Sequence, residues 1–181
     1  SFSGDKNLTF SGLSTAGDGT HPTVTSQGGT PVNLETAELI TFSSGVSSAG
    51  GILKAYKAET QTLNVQDDAG TPLSTTSTGG AGVSLTIANV GPVATSPTRT
   101  REPGLSVKIK ISDLGTDANG DTLSVTALGI GSQSATISYN GTYVFYLPAS
   151  GNNNNDSFTY DLSDGNSGTA SGTATVNVTG S

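Results

Sequence analysis

Residues 156–165 read Asp-Ser-Phe-Thr-Tyr-Asp-Leu-Ser-Asp-Gly. Large apolar side chains fall at every second position, on Phe158, Tyr160 and Leu162, with Thr159 and Asp161 between them. A period of two puts one set in a core and the other in water, which predicts a β-strand, and Asp164-Gly165 supplies the turn that ends it. Beyond that turn Ala174, Val176 and Val178 repeat the pattern. Before it, Tyr143, Phe145 and Leu147 alternate on one side of Asn140-Gly141, the strongest short hairpin signal, and Ala135, Ile137 and Tyr139 alternate on the other. Leu123 and Val125 precede them, and Val107, Ile109 and Ile111 alternate with Lys108 and Lys110. With an opening strand near Val93, the expectation is seven short strands in about 90 residues, the number and spacing of an immunoglobulin-like sandwich.

Outward from this block, residues 89–98 read as a junction. Gly91 and Pro92 break the apolar run that Val90 ends, and Pro97 keeps the strand after it from being central. The boundary is placed at Gly91, giving domains 1–91 and 92–181. The first block has the weaker rhythm. Leu8 and Phe10 alternate, and Ala16 to Pro22 is a loop. Short strands are expected at Thr23–Ser26 and Ala37–Phe42, around Leu63 and Val65, and across Val83, Leu85 and Ile87. The face of Ile52–Tyr56 is ambiguous, because apolar residues fall on both sides. Lys54–Gln61 lacks an apolar stripe at helical spacing, so no helix is needed. The fold class is all-β, with two tandem sandwich domains.

Of the 181 residues 32% are hydrophobic and 12% charged, a composition that would suit a disordered chain were the apolar residues not so regularly alternated. Seven Lys and Arg against fourteen Asp and Glu give a net charge of -7, and no basic run is present to neutralise a phosphate backbone, so nucleic acid is excluded as a partner. Cys and Met are absent, which removes disulfides, thiolate nucleophiles and soft metal sites, and fits a bacterial exterior. No apolar segment approaches the ~20 residues of a membrane span, and the amino terminus has no signal-peptide pattern, so a mature product or a fragment of a longer chain is expected.

Asp117, Asn119 and Asp121 alternate with Ala118 and Gly120, which aims three oxygen-bearing side chains from one tight turn, the spacing hard cations need. Calcium takes six to eight oxygens, so further ligands are required. In a sandwich of this topology the turn at Asp164 lies at the same end, making it the fourth candidate, with Asp113 and Asp161 as lesser ones. The competing reading is that Asp and Asn simply bond to backbone N–H groups of their own turns. Asp156, at the opposite end, is expected to cap the turn that launches Phe158, and Tyr160 to be the corner tyrosine of such folds.

Enzyme readings find little. His21, the only imidazole, precedes Pro22 in a Gly-rich loop, no Gly-x-Ser-x-Gly elbow occurs, and no Lys follows Gly79–Gly82 as a phosphate loop would require. Carboxylate pairs such as Asp67 and Asp68 or Asp161 and Asp164 lie in turns, with no Trp platform for a sugar. The chain is therefore read as non-catalytic.

Three stretches in order, DANGDTLSV (117–125), DSFTYDLSDG (156–165) and GTATVNV (172–178), resemble the cadherin-like, VCBS-type tandem repeats of large bacterial surface and secreted proteins. The likeness covers residues 92–180. The first block is similar to the immunoglobulin-like repeats that accompany them, through LTFSGL (8–13) and TQTLNVQD (60–67). The resemblance implies an extracellular or cell-surface spacer or stalk, flanked by further repeats of the same polypeptide and often bound to calcium. Two departures touch the ion site: Thr95 and Ser96 stand where family members carry acidic residues, and Leu114 and Gly115 stand where they carry Asn-Asp.

The expected role is a spacer stiffened by calcium at the domain junction, with Asp67 or Asp68 approaching the same ion. The alternative is an adhesive or carbohydrate-binding module, taking cell-surface glycans or other copies of itself and using Tyr56 and Tyr146 as its exposed aromatics.

Overall fold

The computed structural model describes residues 2–68 and 82–179, and most of Gly79–Gly82 lies outside them. The chain divides into two compact units, Ser1–Asn89 and Val90–Ser181. Among the described residues no helix is long and apolar enough to cross a membrane. Both units are immunoglobulin-like β-structure.

In the first unit the strands are β1 (Gly4–Ser11), β2 (Thr23–Thr25), β3 (Pro31–Asn33), β4 (Ala37–Ser43), β5 (Val46–Ala49), β6 (Leu53–Lys54), β7 (Glu59–Asp67) and β8 (Val83–Ile87). They form a five-stranded sheet in the order β5-β4-β1-β7-β8 and a three-stranded sheet in the order β3-β2-β6. Leu8 and Ile40 from the first and Val24 from the second meet in a small core, with Phe10, Leu34, Phe42 and Val65 packed around it. The ambiguous stretch resolves into a two-residue strand in which Leu53 turns inward and Ile52 is left exposed.

The second unit contains β9 (Val93–Ala94), β10 (Thr98–Arg101), β11 (Val107–Lys110), a single 3-10 turn (Ile111–Asp113), β12 (Gly115–Thr116), β13 (Ser124–Leu128), β14 (Thr136–Tyr139), β15 (Tyr143–Leu147), β16 (Asp156–Ser163) and β17 (Thr169–Val178). One sheet runs β10-β17-β16-β13, another β11-β15-β14, and β9 pairs with β12. Ile109, Val144 and Tyr146 from the second sheet pack on Phe158, Tyr160, Leu162, Ala174 and Val176 from the first. Tyr146 and Phe158, one from each sheet, stack with ring centroids 6.3 Å apart. β10, which follows Pro97, is an edge strand and runs parallel to the last strand, from Thr98 opposite Thr175 to Arg101 opposite Val178.

Two expectations about side-chain direction fail. Residues 143–147 read Tyr-Val-Phe-Tyr-Leu, apolar at both parities, and the fold buries Val144 and Tyr146 while turning Phe145 and Leu147 outward. Tyr146, expected to be exposed, is completely buried because only that register brings its ring onto Phe158 and its hydroxyl onto Asp156. Tyr160 is buried as expected, but not as a corner tyrosine that bonds a few residues upstream. Its hydroxyl lies against the carbonyl oxygens of Thr95 and, at 2.8 Å, Leu114, so it ties the long sheet to the β9-β12 pair.

Candidate functional site

Two loops of the second unit fold by the same local device. In residues 117–121, Asp117 Oδ1 accepts the backbone N–H of Asn119 at 2.8 Å and of Asp121 at 3.1 Å, while Gly120 takes a φ of 70° that a side chain would disfavour. In the β16–β17 turn, Asp164 Oδ1 accepts the N–H groups of Asn166 at 2.7 Å and Gly168 at 2.9 Å. Gly168 is required by close approach, because a Cβ there would run into the Asp164 carboxylate and Gly91.

Each turn thus uses one carboxylate oxygen on its own backbone, and the two turns face each other. One oxygen each from Asp117, Asp121 and Asp164 falls within a 4.8 Å group. Asp164 is buried, and Asp117 Oδ2 is a fully buried atom with no hydrogen-bond partner. Asp121 Oδ2 accepts from the Asn166 side-chain amide at 2.9 Å. Asn119, the fourth residue expected to bind metal, is buried, and its Oδ1 accepts the N–H of Val90 at 2.6 Å. It pins the first residue of the unit.

The lesser candidates lie apart from this group. Asp113 pairs with Arg99 at 2.5 Å, and Asp161 accepts the Ser171 hydroxyl at 2.6 Å. Asp67 and Asp68 belong to the first unit. Sequence reading missed Asn166, whose relevance follows only from the turn geometry that carries its amide to Asp121.

A hard cation fits this donor set. Three carboxylates gathered in a partly buried space repel one another, and a buried carboxylate oxygen without a donor is costly unless something positive meets it. The three carboxylates supply part of the six to eight oxygens calcium takes, with backbone carbonyls and water as the usual remainder.

The opposite end of β16 holds a second polar group, which sequence reading expected to be a local cap. Asp156 is buried and accepts from the Ser132 hydroxyl at 2.7 Å, the N–H of Gln133 at 3.0 Å, the N–H of Ser157 at 2.7 Å and the Tyr146 hydroxyl at 2.8 Å. It therefore organises the loop before β14 more than its own turn. Burial raises the energy of its charge, yet these four donors outweigh that cost and hold its carboxyl below the usual value of 3.8. Burial first, and then the neighbouring carboxylate, push the Tyr146 phenol up to about 12. Arg101, also buried, stands over the Tyr146 ring at 5.7 Å and donates to the carbonyls of Asn152 and Asn154 at 3.1 and 3.3 Å. The run of four asparagines at residues 152–155 is thereby tied to the core.

His21 in the first unit is exposed, its Nδ1 3.0 Å from the Thr15 hydroxyl. It lines a shallow cleft of about 150 Å³ with Leu13, Pro22, Leu34 and Glu35.

Among solved structures, the chain is similar to the endo-fucoidan hydrolase MfFcnA4 from glycoside hydrolase family 107, at 19% identity over 94% of this chain and 23% of that one, with a TM-score of 0.38. It is also similar to MfFcnA9 of the same family, at 16% identity over 96% of this chain and 34% of that one, with a TM-score of 0.35. The chain thus spans a minor part of the length of either enzyme. No curated protein matches it. The family model for the bacterial Ig domain, Big_9, matches residues 89–179, taking in nearly all of the second unit and so half of the chain. The two facing sheets and this match lead to one conclusion: the chain belongs to the bacterial Ig domain family.

Proposed function

We propose that this chain is a non-catalytic structural link in a larger bacterial extracellular or cell-surface protein, joined to neighbouring repeats, and that its second unit takes calcium where the chain enters it. What carries the reading is the use made of the buried polar side chains. Arg101, Asn119, Asp156 and Asp164 each bond to backbone groups, so they hold loops in place. The parallel pairing of β10 with β17 supports a mechanical role. Tension applied through the two ends of the unit loads that ladder along its length, so several bonds must break together.

Calcium would be held by Asp117, Asp121 and Asp164, with Asn119 linking the site to Val90. Binding to the folded state alone stabilises it by ~2.7 kcal/mol at a hundred times the dissociation constant. Scanning calorimetry of the whole chain tests this. Calcium should raise the transition of the second unit and leave that of the first in place, and Asp121→Ala should remove the response. Asp117→Asn should also remove it while leaving the calcium-free transition unchanged or higher, because it relieves repulsion. If calcium moves no transition in the unmodified chain, the carboxylates serve only their own turns.

A further inference from the structure

The outward face of the β11-β15-β14 sheet differs from the rest of this acidic molecule. Tyr143, Phe145 and Leu147 lie in line along β15, the central strand, with Phe145 37% and Leu147 55% exposed. The rings of Tyr143 and Phe145 are 6.3 Å apart. Lys110 stands opposite Tyr143 and Lys108 opposite Phe145 on one side, and Ser138 and Thr136 stand opposite Phe145 and Leu147 on the other. Lys108 Nζ lies 4.9 Å from the centroid of the Tyr143 ring, so its charge is held against the aromatic strip.

This is a place where the chain's few cations are available. Of its two arginines, Arg99 is paired with Asp113 and Arg101 is buried. Of its five lysines, two stand on this face, and no Asp or Glu occurs in β11, β14 or β15. A cationic face on a chain of net charge -7 selects for an anionic partner.

The shape narrows the partner further. A stable protein interface buries about 800 Å² on each side through some 20–30 residues. The apolar strip is one strand wide and three side chains long, so it suits a narrow chain laid along it. Aromatic faces with hydroxyls on one flank and ammonium groups on the other match a sugar chain: ring C–H faces pack on Tyr143 and Phe145, sugar hydroxyls reach Ser138 and Thr136, and acidic substituents meet Lys108 and Lys110.

We infer that this face binds an anionic polysaccharide, with Phe145 as the stacking platform and Lys108 and Lys110 as the charge readers. The site is independent of the calcium cluster and relocates the carbohydrate-binding expectation from Tyr146, which is core, to its strand neighbours.

Affinity electrophoresis of the full chain tests the inference, in gels containing dextran sulfate, polygalacturonate or neutral dextran. Retardation is expected with at least one of the two charged polymers and not with neutral dextran; which of them retards decides between sulfate and carboxylate. Phe145→Ala should weaken retardation about tenfold, the equivalent of ~1.4 kcal/mol. Lys108→Glu should weaken it at least as much, and Lys54→Glu, in the first unit, should leave it unchanged. Circular dichroism of the Lys108→Glu variant, altered only at an exposed position, checks that the fold persists. No retardation by either charged polymer, or equal retardation by neutral dextran, would overturn the inference. So would full binding by Phe145→Ala, or displacement by poly-L-glutamate as effective as by the polysaccharide, since charge alone would then suffice. Concentration-dependent self-association abolished by the same substitutions would assign the face to a second copy and overturn it as well.

Discussion

Asp156 and Tyr146 form a buried, hydrogen-bonded pair whose proton equilibria are shifted by burial and by their hydrogen bonds, so their contribution to stability carries a pH signature. The Asp156 carboxyl is held below 3.8 in the fold, so its contribution is full above that pH and is lost as pH falls through the lowered folded value. Tyr146 works in the other direction. Its folded value of about 12 against an ordinary 10.0 favours the neutral phenol, so its contribution is full below pH 10 and is lost as pH rises toward 12. Tyr146→Phe removes one of the four donors to a buried charge and should cost ~1–3 kcal/mol by urea unfolding at neutral pH. The gap between variant and unmodified chain should then narrow as pH rises from 10 toward 12, because only the unmodified chain has this phenol to lose. A gap that stays constant through that range would mean the phenol is not shielded. None of this pairing was legible in the sequence. Asp156 reads as a turn residue, and its partners Ser132, Gln133 and Tyr146 lie 24, 23 and 10 residues away.

At the scale of elements, most strands could be read from period-two alternation, which decides nothing where both parities are apolar or neither is. β15 is apolar at both parities, so periodicity alone could not say which side is core, and the choice was made by the Tyr146–Phe158 stack and the Asp156 bond. β10 reads Thr-Arg-Thr-Arg, with no apolar residue at all, and is held by its parallel ladder to β17 and by the buried Arg101. The acidic loops were legible because closely spaced Asp and Asn dictate local geometry, and both the turn and the metal reading use the same Asp117, one oxygen each. The β14–β15 hairpin shows how a correct signal can act by an unexpected route. Only Gly141 takes a positive φ, 94°, while Asn140 accepts the N–H groups of Thr142 at 3.0 Å and Tyr143 at 2.9 Å through its side chain. Gly141→Ala should therefore cost ~1–2 kcal/mol in denaturant unfolding, the penalty of an L residue in that region. Asn140→Ala should cost less, since those amides lie at an exposed turn where water can replace the lost acceptor.

At the scale of the whole molecule, the two units differ in how they are held together. Among the described residues, the core of the second gathers ten buried residues from both sheets and the segments between strands, whereas that of the first rests on Leu8, Val24 and Ile40 with partly buried neighbours. The second unit should be the more resistant to denaturant, since a fully buried large side chain contributes ~1.5–3 kcal/mol. In the proposed role as a structural link the chain would have to resist force, and the parallel β10–β17 ladder is the feature that would resist when the ends of the unit are pulled. Single-molecule pulling of the chain through its two termini tests that role most directly. A tension-carrying link should show the second unit unfolding in one cooperative step, at a force that calcium raises and a chelator lowers. Stepwise unzipping of that unit at low force, the same in calcium and in chelator, would contradict it.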